Sequence, residues 1–481
     1  MGNASEFIKS LEDATDLIIK NGDETLVLAE LQDKVHRYDI NYNDHFSRPS
    51  HSSVEKVSTK EALGELFQVR MVAEMLLVRS INTYRADKYK LIFHSTLNLI
   101  KWNLSFDNID SAFEHCDRIC IYIDDALAIS ADDFNMISTI CDIYYHVLNA
   151  KLSRKLQTSE IQKQIDTFIP FLIVAADKSK YKYNAALIIG QIADSFMANG
   201  EPDLACQYYP KVMDLISQID EQDNVVKREF AAFVGHYSVA LLQSSDTDYG
   251  LVEKNLNMEE MLYEQLHQEI GDIRSKMDLA IAYSHRANYY TKQNDYCNAA
   301  FSHLQKICII KETFLLKEND SVYSEEDRLN SVYKSMQPII NYGILSNDDE
   351  RAYIYKKVYA VLTDILEQVI DIKLIMYINA FAMEIFKARQ GTDDKDAETY
   401  LFKKLFFLTL LIKQYGMEDG IGSDLRSTIQ EAKPFIDRYG DKLDSDNREI
   451  WGLVNRLIYL ADNPQKGILA RIKNFLANIF K

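Results

Sequence analysis

Along this chain, apolar side chains recur at intervals of three and four residues, the spacing that gathers them on one face of an α-helix. The segments that carry this pattern begin alike. In "SFDNIDSAFEHCDRI", "GEPDLACQYYPKVM", "QNDYCNAAFSHLQKI", "SNDDERAYIYKKVYAV" and "GTDDKDAETYLFKKLFF" a short run rich in Asp, Asn, Ser or Gly precedes the apolar pattern. Such residues cap a helix N-terminus, and a negative charge there suits the positive end of the helix. Only 7 Pro and 16 Gly occur in 481 residues, so long helices with few tight turns are expected. Strand signals are poor. The Asn-Gly pair at Asn21-Gly22 follows a helical pattern and reads as a helix stop rather than a hairpin. The expected fold class is all-α.

The helix starts keep a register. Ala112, Ala205 and Ala299 are 93 and 94 residues apart, and Val252 falls midway between the last two. Ala352 and Ala397 follow at intervals of 53 and 45. A period near 47 fits one antiparallel helix pair. A single pair cannot bury its apolar face, so such units must stack into a solenoid.

Two units carry a more specific pattern. In "GQIADSFMANGEPDLACQYYPKV", Ala193, Phe196, Ala205 and Tyr209 alternate small and aromatic residues. In "HRANYYTKQNDYCNAAFSHLQKI", Ala287, Tyr290 and Ala299 do the same, Tyr296 adds a ring, and His303 stands where a second aromatic is expected. Both units resemble the tetratricopeptide repeat (TPR), in which small residues allow two helices to cross closely. The resemblance implies a TPR-like antiparallel helix-pair solenoid over roughly residues 80–460, with units longer than the family's. It also implies a groove lined by the first helix of each pair. In the second unit the groove positions are Ser284, Asn288, Thr291 and Lys292, and in the first Asp194 and Met197.

Four regions are expected: a small N-terminal helical module (1–40), a polar linker (41–58), the repeat array (59–463) and a basic C-terminal helix (464–481). The last of these has four basic side chains and no acidic one after Pro464. On a helical wheel Ile468, Leu469, Ile472, Phe475, Leu476, Ile479 and Phe480 share an arc of about 140°. Lys466, Arg471 and Lys473 border it. A solenoid cap, a helix lying in a membrane surface and a helix docked on a partner all fit that pattern.

Composition narrows the chemistry. With 47% hydrophobic and 26% charged residues the chain is a folded, soluble type. Its longest apolar run, "LFFLTLLI" at residues 405–412, is far short of the roughly twenty residues a membrane crossing needs. Six scattered cysteines and no secretory signal place it in the cytoplasm, with peripheral membrane contact left to the C-terminal helix. The net charge of −18 argues against nucleic acid and for a basic partner.

No phosphate-cradling loop and no His-Glu-x-x-His motif occurs, so no cofactor is expected. Cys116 and Cys120 lie one turn apart beside His115, but no second ligand pair accompanies them, and no metal is expected. Helical RNases of the HEPN family pair an Arg with a His at a spacing of four to six residues. Arg228 with His236 and Arg37 with His45 are spaced too widely for that pattern, and His236 reads as an ordinary helix residue. No catalytic residue is assigned. The reading is a non-enzymatic scaffold or adaptor that holds a protein or peptide in its groove. The alternatives are a peptide-sensing regulator similar in layout to the bacterial Rap-type receptors, and a helical enzyme whose site carries no motif.

Overall fold

The computed structural model describes residues 24–46, 59–79, 84–179, 181–219, 223–316, 322–345, 347–416 and 419–462, with a few single positions before residue 24. The C-terminal segment, with Lys466, Arg471, Lys473 and the apolar stripe between them, lies outside the described residues. Most of residues 1–23 and the stretch 47–58 do so too. The chain divides into two compact units, Met1–Asp248 and Tyr249–Lys481.

The first unit holds α1 (Glu24–Phe46), α2 (Thr59–Arg79), α3 (Arg85–Ser105), α4 (Ile109–Ser130) and α5 (Phe134–Ser153). It continues with α6 (Ser159–Ser179), α7 (Lys182–Ala198), α8 (Pro202–Ser217) and α9 (Asn224–Gln243). The second holds α10 (Tyr249–Ile270), α11 (Ile273–Lys292), α12 (Tyr296–Phe314), α13 (Glu325–Ile344) and α14 (Asp348–Leu366). Then come α15 (Ile372–Arg389), α16 (Asp394–Tyr415), α17 (Asp419–Tyr439), a 3-10 turn at Gly440–Lys442, and α18 (Ser445–Asp462). No strand occurs among the described residues. The fold is an all-α helical solenoid built from TPR-like pairs.

Three of the polar stretches cap their helices as the sequence indicates, while Asn108 before α4 makes no side-chain cap bond. The side chains of Asp295, Asn347 and Asp393 accept hydrogen bonds from backbone N–H groups in the first turns of α12, α14 and α16. At α8 the cap is different. Glu201 makes no side-chain cap bond, and Pro202 occupies the first turn, where its missing N–H costs nothing.

The turns inside the pairs repeat one geometry. Asp107, Lys155, Gly200 and Asn294 all adopt positive φ. At each, the next residue's N–H reaches back to the carbonyl five residues earlier: Asn108 to Asn103, Leu156 to Lys151, Glu201 to Phe196 and Asp295 to Tyr290, each at 2.9 Å. This is the Schellman ending, which satisfies the orphan carbonyls of the first helix while reversing the chain.

In the α3–α4, α7–α8, α11–α12 and α15–α16 pairs the second helix packs on the first with a small side chain in its first turn. Ala112, Ala205, Val252, Ala299 and Ala397 occupy the fourth position of α4, α8, α10, α12 and α16, and Ala352 the fifth of α14. All six are completely buried. The two most extensively packed helix pairs are α7–α8 and α11–α12, the two units that resemble the family most. His303 does the work of the ring it replaces. Its imidazole stacks on Tyr342 with centroids 6.1 Å apart, and Tyr296 stacks on the same ring at 5.7 Å.

Layering differs between the units. In the first, odd-numbered helices also touch their next-but-one neighbours from α1 to α9, forming a continuous layer. In the second, the fuller next-but-one contacts are α12–α14 and α16–α18, while α13–α15 contact is slight. The odd helices of the second unit are therefore splayed, and a cleft opens along them.

Helices also approach closely where glycine permits. A Cβ built on Gly190 of α7 would lie 2.2 Å from Cε1 of Phe233 on α9. Gly190→Ala is expected to lower stability by about 1–3 kcal/mol through overpacking. The loss should shrink in a Phe233→Leu background, as a denaturant-melt double-mutant cycle would show.

Candidate functional site

The cleft in the second unit has a volume of about 700 Å³, within the range of ligand pockets. Three successive odd helices build it. From α11 come Met277 and Ile281, from α13 and its approach Tyr323, Asn330, Ser331, Tyr333 and Lys334, and from α15 Lys373 and Tyr377.

Two capping residues fix the frame. Ser324 starts α13 in a reciprocal box with Asp327, whose N–H donates to Ser324 Oγ at 3.1 Å while Ser324 N–H donates to Asp327 Oδ2 at 2.9 Å. The Ser324 hydroxyl, which donates to Asp327 Oδ2 at 2.6 Å, and then the Ser324 N–H hold the Asp327 carboxyl below its ordinary pKa. They also occupy the one carboxylate that lines the cleft among the described residues. Asp371 starts α15 by accepting from Leu374 N–H at 2.8 Å, and the same Oδ1 accepts a short bond from the Tyr333 hydroxyl of α13. One carboxylate therefore caps one helix and ties it to its neighbour.

That tie sets the ring geometry. Tyr333 stacks on Tyr377 with centroids 5.7 Å apart and planes at 23°. Lys373 Nζ lies 4.3 Å from the Tyr333 ring centroid. Stacking contributes about 0.5–1.5 kcal/mol and an exposed cation–π contact about 0.5–1 kcal/mol, enough to hold both side chains in place. Burial first, and then the hydrogen bond to Asp371, pushes the Tyr333 hydroxyl above its ordinary pKa, so it stays a donor.

Lysines dominate the charge at this cleft. Lys334 and Lys373 are exposed on its walls. Behind them Lys306 of α12 is 6% exposed and has no carboxylate partner among the described residues. Burial, then the repulsion of Lys334, pushes its pKa down to about 8. The arrangement offers ammonium and amide donors, ring faces and the apolar Met277 and Ile281. It suits a carboxylate-bearing side chain set beside an apolar one.

The sequence-derived groove residues divide. Met277, Ile281, Ser284, Asn288 and Lys292 fall within about 80° of one another on α11, so Ser284, Asn288 and Lys292 continue the stripe that enters the cleft. Asn288 and Lys292 are exposed. Ser284 Oγ donates to the Ala280 carbonyl at 3.3 Å. Thr291 Oγ1 donates to the Ala287 carbonyl at 2.7 Å and pairs with the Tyr342 hydroxyl at 2.8 Å, so it serves packing between α11 and α13.

Asp194 and Met197 belong to the first unit. Asp194 Oδ1 accepts from the Tyr209 hydroxyl at 2.7 Å and lies 2.9 Å from His236 Nδ1. Met197 is half-buried. Near the cysteine pair, His115 Nδ1 lies 2.9 Å from an Arg70 nitrogen, Cys116 is buried with its thiol pKa pushed up by that burial, and Cys120 Sγ is 3.5 Å from the Tyr144 hydroxyl. No cluster of three or more His, Cys, Asp or Glu placed to hold a metal occurs among the described residues.

Tyr333, Lys334, Lys373 and Tyr377 went unnoticed because their units fit the family pattern loosely. One signal was present: Tyr333 and Tyr377 are 44 residues apart, close to the repeat spacing.

No family model matches the chain, and no curated protein matches it. Among solved structures, the chain is similar to the human IFIT1 dimer with PPP-AAAA at 12% identity over 79% of this chain and 94% of that one, with a TM-score of 0.18. So slight a likeness transfers nothing to this chain. It does correct one expectation, the exclusion of nucleic acid. That helical-repeat protein is described with PPP-AAAA, and the exclusion is withdrawn. The physical reason is that net charge averages over the whole chain, whereas a binding surface is local. No described helix is long and apolar enough to cross a membrane.

Lys306 supplies a test of the local electrostatics. Its folded pKa lies below the unfolded value, so the cost of its buried charge is complete below pH 8 and fades as pH rises toward 10.5. Lys306→Met should therefore stabilise by about 1–3 kcal/mol at pH 7. The gain should shrink between pH 8 and 10 in denaturant melts.

Proposed function

We propose that this protein is a non-catalytic binding scaffold that holds a segment of a protein or peptide along the odd helices of its second unit. The observation that carries this reading is the stripe on α11. It joins exposed Asn288 and Lys292 to a cleft walled by Lys334, Lys373 and the Tyr333–Tyr377 stack. Solenoids offer extended surfaces of this kind, and aromatic anchors with flanking cations supply most of the binding energy in such interfaces. The groups at the cleft give hydrogen-bond donors, ring faces and positive charge. They suit a segment in which Asp or Glu stands next to an apolar or aromatic residue.

A displayed random-peptide library selected on the protein tests this. Enrichment of acidic residues flanking an apolar one is expected. The enriched peptides should bind a Lys334→Glu/Lys373→Glu variant at least about ten-fold more weakly, at an unchanged melting temperature, because both positions are exposed. Enriched peptides that bind the variant equally well would remove this cleft from the function.

A further inference from the structure

A second cavity, of about 500 Å³, lies among α1, α3 and α5 of the first unit, on the tightly layered odd helices. Its chemistry is the reverse of the cleft described above. Asp33 and Asp39 of α1 and Asp142 of α5 line it, and so do Asn98 and Lys101 of α3. Lys101 Nζ sits 3.2 Å from Asp39 Oδ1 and is committed to that pair. Asp142, half-buried, makes no ion pair among the described residues, and burial raises its pKa to about 6. Asn98 is only 3% exposed. Its Nδ2 donates to the His94 carbonyl at 3.2 Å, while its Oδ1 is buried without a hydrogen-bond partner.

The unsatisfied groups in this cavity are thus acceptors. A buried amide oxygen left unpaired costs about 1–3 kcal/mol, so an arriving donor is favoured there. Three carboxylates face one ammonium, so the cavity is net negative. Two nearby histidines, His94 and His146, do not offset this, while His36 also lines the cavity. Burial lowers the pKa of His94 in the cavity wall, and that of His146 on α5 falls to about 4. A bare divalent cation is not the fit, because no three acidic or histidine side chains among the described residues converge as ligands. The volume also far exceeds one ion and falls in the range of small organic ligands.

We propose that this cavity binds a free organic ammonium ligand, an alkyl amine or diamine, with one ammonium held by Asp142 and the Asn98 side-chain oxygen. The site is separate from the scaffold cleft, and its test does not depend on the cleft's partner.

Titration calorimetry of the full chain with 1,4-diaminobutane at low salt provides the test. Saturable binding of one diamine per chain is expected, with no binding of the uncharged 1,4-butanediol. Asp142→Asn should weaken the diamine at least about ten-fold. The control Asp437→Asn removes the same charge from an exposed position of the second unit and should leave binding unchanged. Thermal melts confirm that both variants fold. No saturable binding up to about 10 mM, a value weaker than a specific small-ligand site, would overturn the proposal. So would equal weakening by the two substitutions, which would show diffuse attraction to a chain of net charge −18. Equal binding of the diol would also overturn it.

Discussion

Everything in this fold depends on how closely two consecutive helices cross in the first turn of the second one. At that crossing in α3–α4, α7–α8, α11–α12 and α15–α16 the side chain is Ala, and each is fully buried. A larger residue would push the helices apart and open the contact between pairs, where interiors tolerate little extra volume. The turn that delivers the second helix is equally constrained. A residue at positive φ lets the chain reverse within three residues, and Gly, Asn, Asp and Lys all fill that role. Crossing and turn together fix the phase of each pair, and the phase decides which side chains reach the core and which reach a face.

The faces then differ by unit for a reason that lies in the packing. Where odd helices touch their next-but-one neighbours, as α1, α3 and α5 do, the cavity among them is small and collects buried polar groups. Where they splay, as at α11, α13 and α15, the gap is wider and is walled by Tyr and Lys side chains that can stand partly in solvent. Asp371 shows how little polar machinery the wider gap needs. One carboxylate starts α15, holds the Tyr333 hydroxyl and so sets the ring on which Tyr377 and Lys373 rest.

Much of this was legible in the sequence. The helix starts, the caps at Asp295, Asn347 and Asp393 and the small residues near the period of 47 are local signals. Each depends on backbone chemistry within a few residues. Proline was less informative than its scarcity suggested. Pro170, Pro210, Pro338 and Pro434 sit inside helices, where the surrounding packing offsets the lost hydrogen bond. The cleft was half legible. The register of a well-matched unit puts Asn288 and Lys292 on the exposed stripe of α11, but Thr291 is engaged by Tyr342, and Tyr333, Lys334, Lys373 and Tyr377 required knowing which layer splays. Splay comes from contacts between helices about 45 residues apart or more, and no local pattern encodes it. Net charge misled for a related reason, since −18 spread over the whole chain says nothing about two lysines on the walls of one cleft.

The central claim is that the odd-helix face of the second unit is where a partner segment lies. Hydrogen–deuterium exchange of the full chain, with and without a bound acidic peptide, addresses it most directly. The account predicts slowed exchange in α11, at the start of α13 and in the first turns of α15, with the even helices α12, α14 and α16 unchanged. Protection centred on the even helices, or on none of the three odd ones, would contradict it.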